Sequence, residues 1–190
     1  QMESSSPIAL PWQKGTQLKV SSGNLSSKEV YSIDSDGMQS DISSSSPLRE
    51  FDRYYALYPY GVEGISCDIG SGTSYAGVDY PVQFRSDIPQ VQKGVLGSIA
   101  PELNLCAGIG GKDGLLKFRN MYSLLKVEIQ HPSASKLVVR SSGGKYLSGP
   151  FSFYAADIDP DDDFDRFYIR QRGGTSDSVT LLPPSGEKSF

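Results

Sequence analysis

Thirty-two of the 190 residues are glycine or proline, against about 12% in an average chain. They fall so regularly that almost no stretch of twelve residues escapes one. Long helices have no room, and the segments between these breaks must find their hydrogen bonds by pairing with one another. The apolar residues agree. Leu125, Val127 and Ile129 alternate with Lys126, Glu128 and Gln130, the period of a strand with one wet face. A helix would need apolar residues at i, i+3 and i+4, and only Phe118-Met121-Tyr122-Leu125 offers that.

Strands are expected at Thr16–Val20, Tyr54–Tyr60, Leu137–Val139, around Phe151 and Phe153, around Phe167 and Ile169, and at Val179–Leu182. Residues 61–79 contain five glycines and read as a short hairpin or meander, with Ile65, Cys67 and Ile69 on one face. Residues 34–47 are polar and low in complexity, a surface loop. Pro81–Gly97 is proline-punctuated and is expected to lie extended along a sheet edge. Eight to ten short strands divided by turn residues point to an all-β sandwich or barrel. Residues 1–14 read as an extended leader and 15–190 as one domain.

Composition restricts the chemistry. Lys and Arg number 18 against 22 Asp and Glu, a net charge of −4, so there is no basic excess to neutralise phosphates and nucleic acid is not an expected partner. The single histidine, His131, sits directly before Pro132. No multi-histidine metal site can be built, and no spacing suggests a third group to orient a base, so His131 reads as a turn residue. Cys67 and Cys106 are 39 positions apart. They suit one disulfide or two buried thiols, and their separate semi-apolar settings favour thiols. The run 157–165 holds six aspartates but lacks the glycine and glutamate of a helix-loop-helix calcium site, and it reads as a solvated loop. Gly108–Gly114 lacks a phosphate-loop signature and reads as a glycine hinge or hairpin turn. In Tyr54–Tyr60 alternate rings should face opposite sides, half into a core and half outward. No catalytic residue, metal or cofactor is expected.

Tyr54-Tyr55-Ala56-Leu57-Tyr58-Pro59-Tyr60 resembles the aromatic Y-x-A-x-Y-P-Y strand of the fimbrillin-like proteins of Bacteroidetes. Downstream, Pro89–Gly94 resembles that family's proline-glutamine segment. Leu116–Val127 (LKFRNMYSLLKV) resembles its L-x-F-x-N-x-x-S-L-L-K-V block, and Tyr146–Gly149 with Val179–Leu181 resembles its closing strands. The residues that carry the resemblance include Tyr55, Tyr58, Pro59, Tyr60, Phe118 and Leu125. It implies a transthyretin-like Greek-key sandwich, usually the first of two, in lipoproteins exported to the outer membrane surface and built into fimbriae or presented as adhesins. The implied partners are other pilus or surface subunits, with host or bacterial glycans or proteins. Membrane contact would run only through a lipid anchor outside this sequence, and the second domain is expected to be absent from it. Polymerising members are cut after an arginine ahead of the first strand. Here the first arginine is Arg49, and Lys14 precedes the strand.

The expected function is a non-enzymatic fimbrial or adhesin subunit that assembles by strand complementation, with Thr16, Leu18 and Val20 as the displaceable strand. The alternative is a glycan-binding surface lipoprotein, because exposed tyrosines stack on sugars and the chain has eleven.

Overall fold

The computed structural model describes residues 11–63, 65–94, 100, 103–122, 134–156, 167–173 and 176–183. These residues form strands and turns, with no α-helix among them. The strands are β1 (Gln17–Ser22), β2 (Lys28–Ile33), β3 (Ile42–Ser43), β4 (Arg53–Tyr60), β5 (Asp68–Tyr75), β6 (Val78–Ile88), β7 (Val91–Lys93), β8 (Cys106–Gly111), β9 (Leu116–Asn120), β10 (Leu137–Arg140), β11 (Gly149–Ala155), β12 (Phe167–Gln171) and β13 (Ser178–Leu182). They make a six-stranded sheet in the order β3-β2-β1-β4-β8-β9 and a four-stranded sheet in the order β12-β11-β6-β5. A three-stranded sheet, β10-β13-β7, completes the set. All pairings are antiparallel except β13 with β7. The fold is an all-β sandwich.

The main core lies between the two larger sheets. Tyr55 and Leu57 of β4 and Ala107 and Ile109 of β8 meet Ile69 of β5, Val82 and Phe84 of β6, and Phe153 and Ala155 of β11. Ile65, Cys67 and Ile69 all turn to this core, as their alternation predicts.

The expectation that the other half of β4 faces outward is corrected. Leu18, Val20, Ile33, Ala56, Tyr58 and Cys106 form a second buried cluster on the far side of the six-stranded sheet. Trp12 packs over it, edge-on to both Tyr58 and Phe118 with ring centroids 4.9 Å away in each case. Leu48 adds to the cover, its N–H donating to the Tyr31 hydroxyl at 2.8 Å. Trp12 is fixed in turn by a two-way backbone bridge to Gly37. The centre of the sheet, β1, β4 and β8, is therefore covered on both faces, the second closed by chain that carries little sequence signal of its own.

Three further expectations change. Residues 34–47 are not wholly loop, since β3 pairs Ile42 and Ser43 with β2. Of the Pro81–Gly97 segment, the part up to Ile88 does not lie at an edge, since β6 runs for eleven residues between β11 and β5, whereas Val91–Lys93 form β7, an edge strand of the three-stranded sheet. Proline is accommodated because pairing with β11 begins only at Val82, so on that side no ladder bond is lost at Pro81. Gly108 and Gly110 are strand residues, not a hinge. A Cβ on Gly108 would lie 2.8 Å from the Phe118 ring; the missing side chain lets that ring lie across β8. The turn itself falls after Gly111, where Gly114 takes φ +75°.

The hairpin joining β5 to β6 closes with Ala76 and Gly77, both at positive φ, 50° and 79°. That is the two-residue geometry in which Asn-Gly is preferred. Alanine pays about 1 kcal/mol for a left-handed conformation. Ala76→Asn is expected to raise stability by about 0.5–1 kcal/mol, read as a higher denaturant midpoint. A midpoint that falls would contradict this turn.

Candidate functional site

The first strand is the feature the sequence singles out, and its setting decides what it can do. β1 lies inside the six-stranded sheet, paired on one side with β2 from Gln17↔Ser32 to Ser21↔Lys28. On the other it pairs with β4 from Gln17↔Tyr60 to Ser22↔Tyr54, with an irregularity between Gln17 and Lys19. Leu18 and Val20 are fully or almost fully buried. Thr16 stands just ahead of the strand, where its carbonyl accepts from Ile33 N–H at 2.9 Å. Of the residues shared with the fimbrillin pattern, Tyr55 packs in the inter-sheet core, Tyr58 lies within the second cluster, Pro59 is buried, and Tyr60 is half-buried with its ring beneath Lys19. Phe118 caps the cluster. Leu125 falls outside the described residues, as do Val127, Ile129, His131 and the aspartate run 157–165.

The opposite face of β1 is tied to the second sheet by charge. Lys19 Nζ sits 3.1 Å from Asp68 Oδ1 and 4.8 Å above the Tyr60 ring. Lys28 lies 3.7 Å from the same carboxylate and donates to the Ile69 carbonyl. Sequence reasoning missed this clamp, because nothing in spacing relates Lys19 to Asp68 across 49 positions. Burial raises the Asp68 pKa, but the Lys19 hydrogen bond and charge, with Lys28, outweigh it and hold it below the usual range. Burial lowers that of Lys19, and Asp68 and Tyr60 carry it above its ordinary value.

The signs follow. A depressed carboxyl gives stability that is present above the unfolded pKa of about 4 and is lost as pH falls through the folded value. A raised lysine gives stability that is lost only as pH rises through its folded value, above about 10. Asp68→Asn is therefore expected to destabilise at neutral pH, by under about 1 kcal/mol because the carboxylate is 41% exposed. The difference from the parent should shrink below pH 4. A gap that widened in acid, measured by urea unfolding across pH 3–8, would reverse the assignment.

Cys67 and Cys106 are free thiols, one against the inter-sheet core and the other in the second cluster. Burial pushes Cys106 up to about 12 and also raises Cys67. Neither carries the thiolate that nucleophilic chemistry requires. Among the described residues, no three His, Cys, Asp or Glu side chains are grouped to hold a metal ion.

What the arrangement offers is a slot. Without β1, the facing edges of β2 and β4 would stand two strand spacings apart, roughly 9.5 Å, the width that admits one strand. Its apolar wall would be Tyr31, Ile33, Ala56 and Tyr58, with Trp12 above. Comparison of the chain with protein-family models, curated proteins and solved structures finds no match.

Proposed function

We propose that the chain is a non-enzymatic subunit of a bacterial surface fimbria or adhesin, joined to its neighbours by strand complementation. The observation that carries this reading is the interior position of β1 with its buried Leu18–Val20 pair. A strand at that place can be replaced only by another strand, because both flanking ladders and both buried side chains must be satisfied together. Register would be set by alternate side chains, since a slip of one residue would turn Lys19 into the apolar cluster. The resemblance of the Tyr54–Tyr60 strand and the ordered blocks after it supports the same reading, with a transthyretin-like Greek-key topology. On this reading the protein is exported to the outer membrane surface, and its partners are other subunits.

The test keeps the fold intact. A protease site placed in the turn between Ser22 and Lys28, once cut, leaves β1 bound but no longer tethered. A labelled peptide spanning residues 11–23 should then exchange into the nicked protein under native conditions. A Leu18→Asp peptide should not. A nicked, folded protein that excludes the parent peptide, or admits both equally, would remove the mechanism.

A further inference from the structure

The slot that β1 fills is marked on the face away from its apolar wall. Asp68 at the start of β5 and Tyr60 at the end of β4 both belong to elements that stay when β1 leaves. Lys19 meets them together. Its Nζ donates to Asp68 Oδ1 at 3.1 Å and to the Tyr60 hydroxyl at 3.5 Å, 4.8 Å from the centre of that ring. The lysine side chain is only 18% exposed, so its charge is felt through protein as well as water. Lys28, on the neighbouring β2, lies 3.7 Å from the same carboxylate and keeps it in position with β1 absent.

We infer that the slot is selective: it admits a strand of another subunit that carries a basic residue between two apolar ones, and Asp68 with Tyr60 sets both that choice and the register. The inference rests on the strand-exchange reading and adds which strands can take part. Register carries the argument. Alternation excludes a slip of one residue, but a slip of two returns every side chain to its own face. Moved by two, the strand would set Gln17 or Ser21 against Asp68, and the carboxylate would lose the cation it now holds. A second mark lies on β4, where Gln17 pairs with Tyr60 but Lys19 pairs with Leu57. Tyr58 and Pro59 thus stand opposite the single Leu18, a bulge that fixes where along the slot an apolar residue is needed. Leu18 at the bulge and Lys19 at the carboxylate are adjacent, and the buried Val20 completes the triplet. Charge supplies the rejection. Burial lowers the Lys19 pKa, yet Asp68 and Tyr60 carry it above its ordinary value, so with Lys28 in place this position still favours a cation. An acidic residue there would face Asp68 across a hydrogen-bond distance, and such a like-charge pair discriminates against a wrong partner more strongly than a neutral mismatch does.

The test uses the protein nicked between Ser22 and Lys28 with labelled peptides spanning residues 11–23, read by fluorescence anisotropy. On the unaltered slot the Lys19→Glu peptide should bind at least tenfold more weakly than the parent peptide. In nicked Asp68→Asn protein, where Lys28 remains without the carboxylate, that ratio should fall below threefold or reverse. A ratio below tenfold on the unaltered slot, or one that stays above threefold in Asp68→Asn, would overturn the selectivity and leave strand exchange standing. A parent peptide that is itself excluded from the unaltered slot would remove strand exchange, and this inference with it.

Discussion

Tyr58→Ala is expected to cost about 3–5 kcal/mol, as much as Phe84→Ala at the centre of the inter-sheet core. Tyr58 is 1% exposed, yet it belongs to the face of β4 that points away from the second sheet. Its ring is enclosed by Leu18, Val20, Ile33 and Cys106 and met edge-on by Trp12. Truncation removes a whole aromatic ring and leaves a space that the strand backbone cannot close, so the cavity adds to the lost transfer energy. The Trp12 contact is lost with it, worth about 0.5–1.5 kcal/mol beyond area. Chemical denaturation of both variants checks this. A cost for Tyr58→Ala below about 1 kcal/mol would mean that this face of β4 is open surface and that the Trp12 segment does not close it.

That expectation marks where sequence reasoning stops. Aromatic density identified β4 and alternation identified β1 and β11; alternation is local and survives without knowledge of neighbours. It also aligned Ile65, Cys67 and Ile69 correctly. It could not show that both faces of β4 are covered, because the cover comes from Trp12 and Leu48, single apolar residues in Ser/Pro-rich chain. Glycine is ambiguous for a related reason. The run at 108–111 looks like a turn when read alone, and only the Phe118 ring, ten positions on, explains why a strand would lack side chains there. Pro81 misleads in the same way, since its tolerance depends on where a strand seventy residues later begins to pair. The candidate strand Leu18–Val20 was legible in the sequence. The Lys19–Asp68 clamp and the stack of Tyr75 on Tyr168, with ring centroids 4.6 Å apart, were not, because each joins residues that only the tertiary fold brings together.

Gly72→Ala should be the most disruptive single-methyl substitution in the described chain. A Cβ built on Gly72 would sit 1.6 Å from the Tyr80 carbonyl oxygen and 2.8 Å from the Pro81 carbonyl carbon. Both are backbone atoms of the paired strand, so no rotamer change relieves the clash, and β5 and β6 must separate locally. Overpacking costs about 1–3 kcal/mol when side chains can shift, and occasionally more; the upper end or beyond applies here, because the backbone itself must move. The damage should also be directional. The close approach lies in the part of the β5–β6 hairpin that brings Tyr75 onto Tyr168, and Tyr80 contacts that same ring at 6.2 Å. Gly72→Ala should therefore lose the near-ultraviolet circular dichroism of the stacked tyrosines along with stability. Gly77→Ala, whose Cβ would meet nothing within 4 Å but whose φ is +79°, should cost only the local strain of about 1–2 kcal/mol and keep that signal. If Gly72→Ala unfolds within 0.5 kcal/mol of the parent and retains the tyrosine signal, β5 and β6 do not approach this closely, and the Tyr75–Tyr168 stack has lost the geometry that builds it.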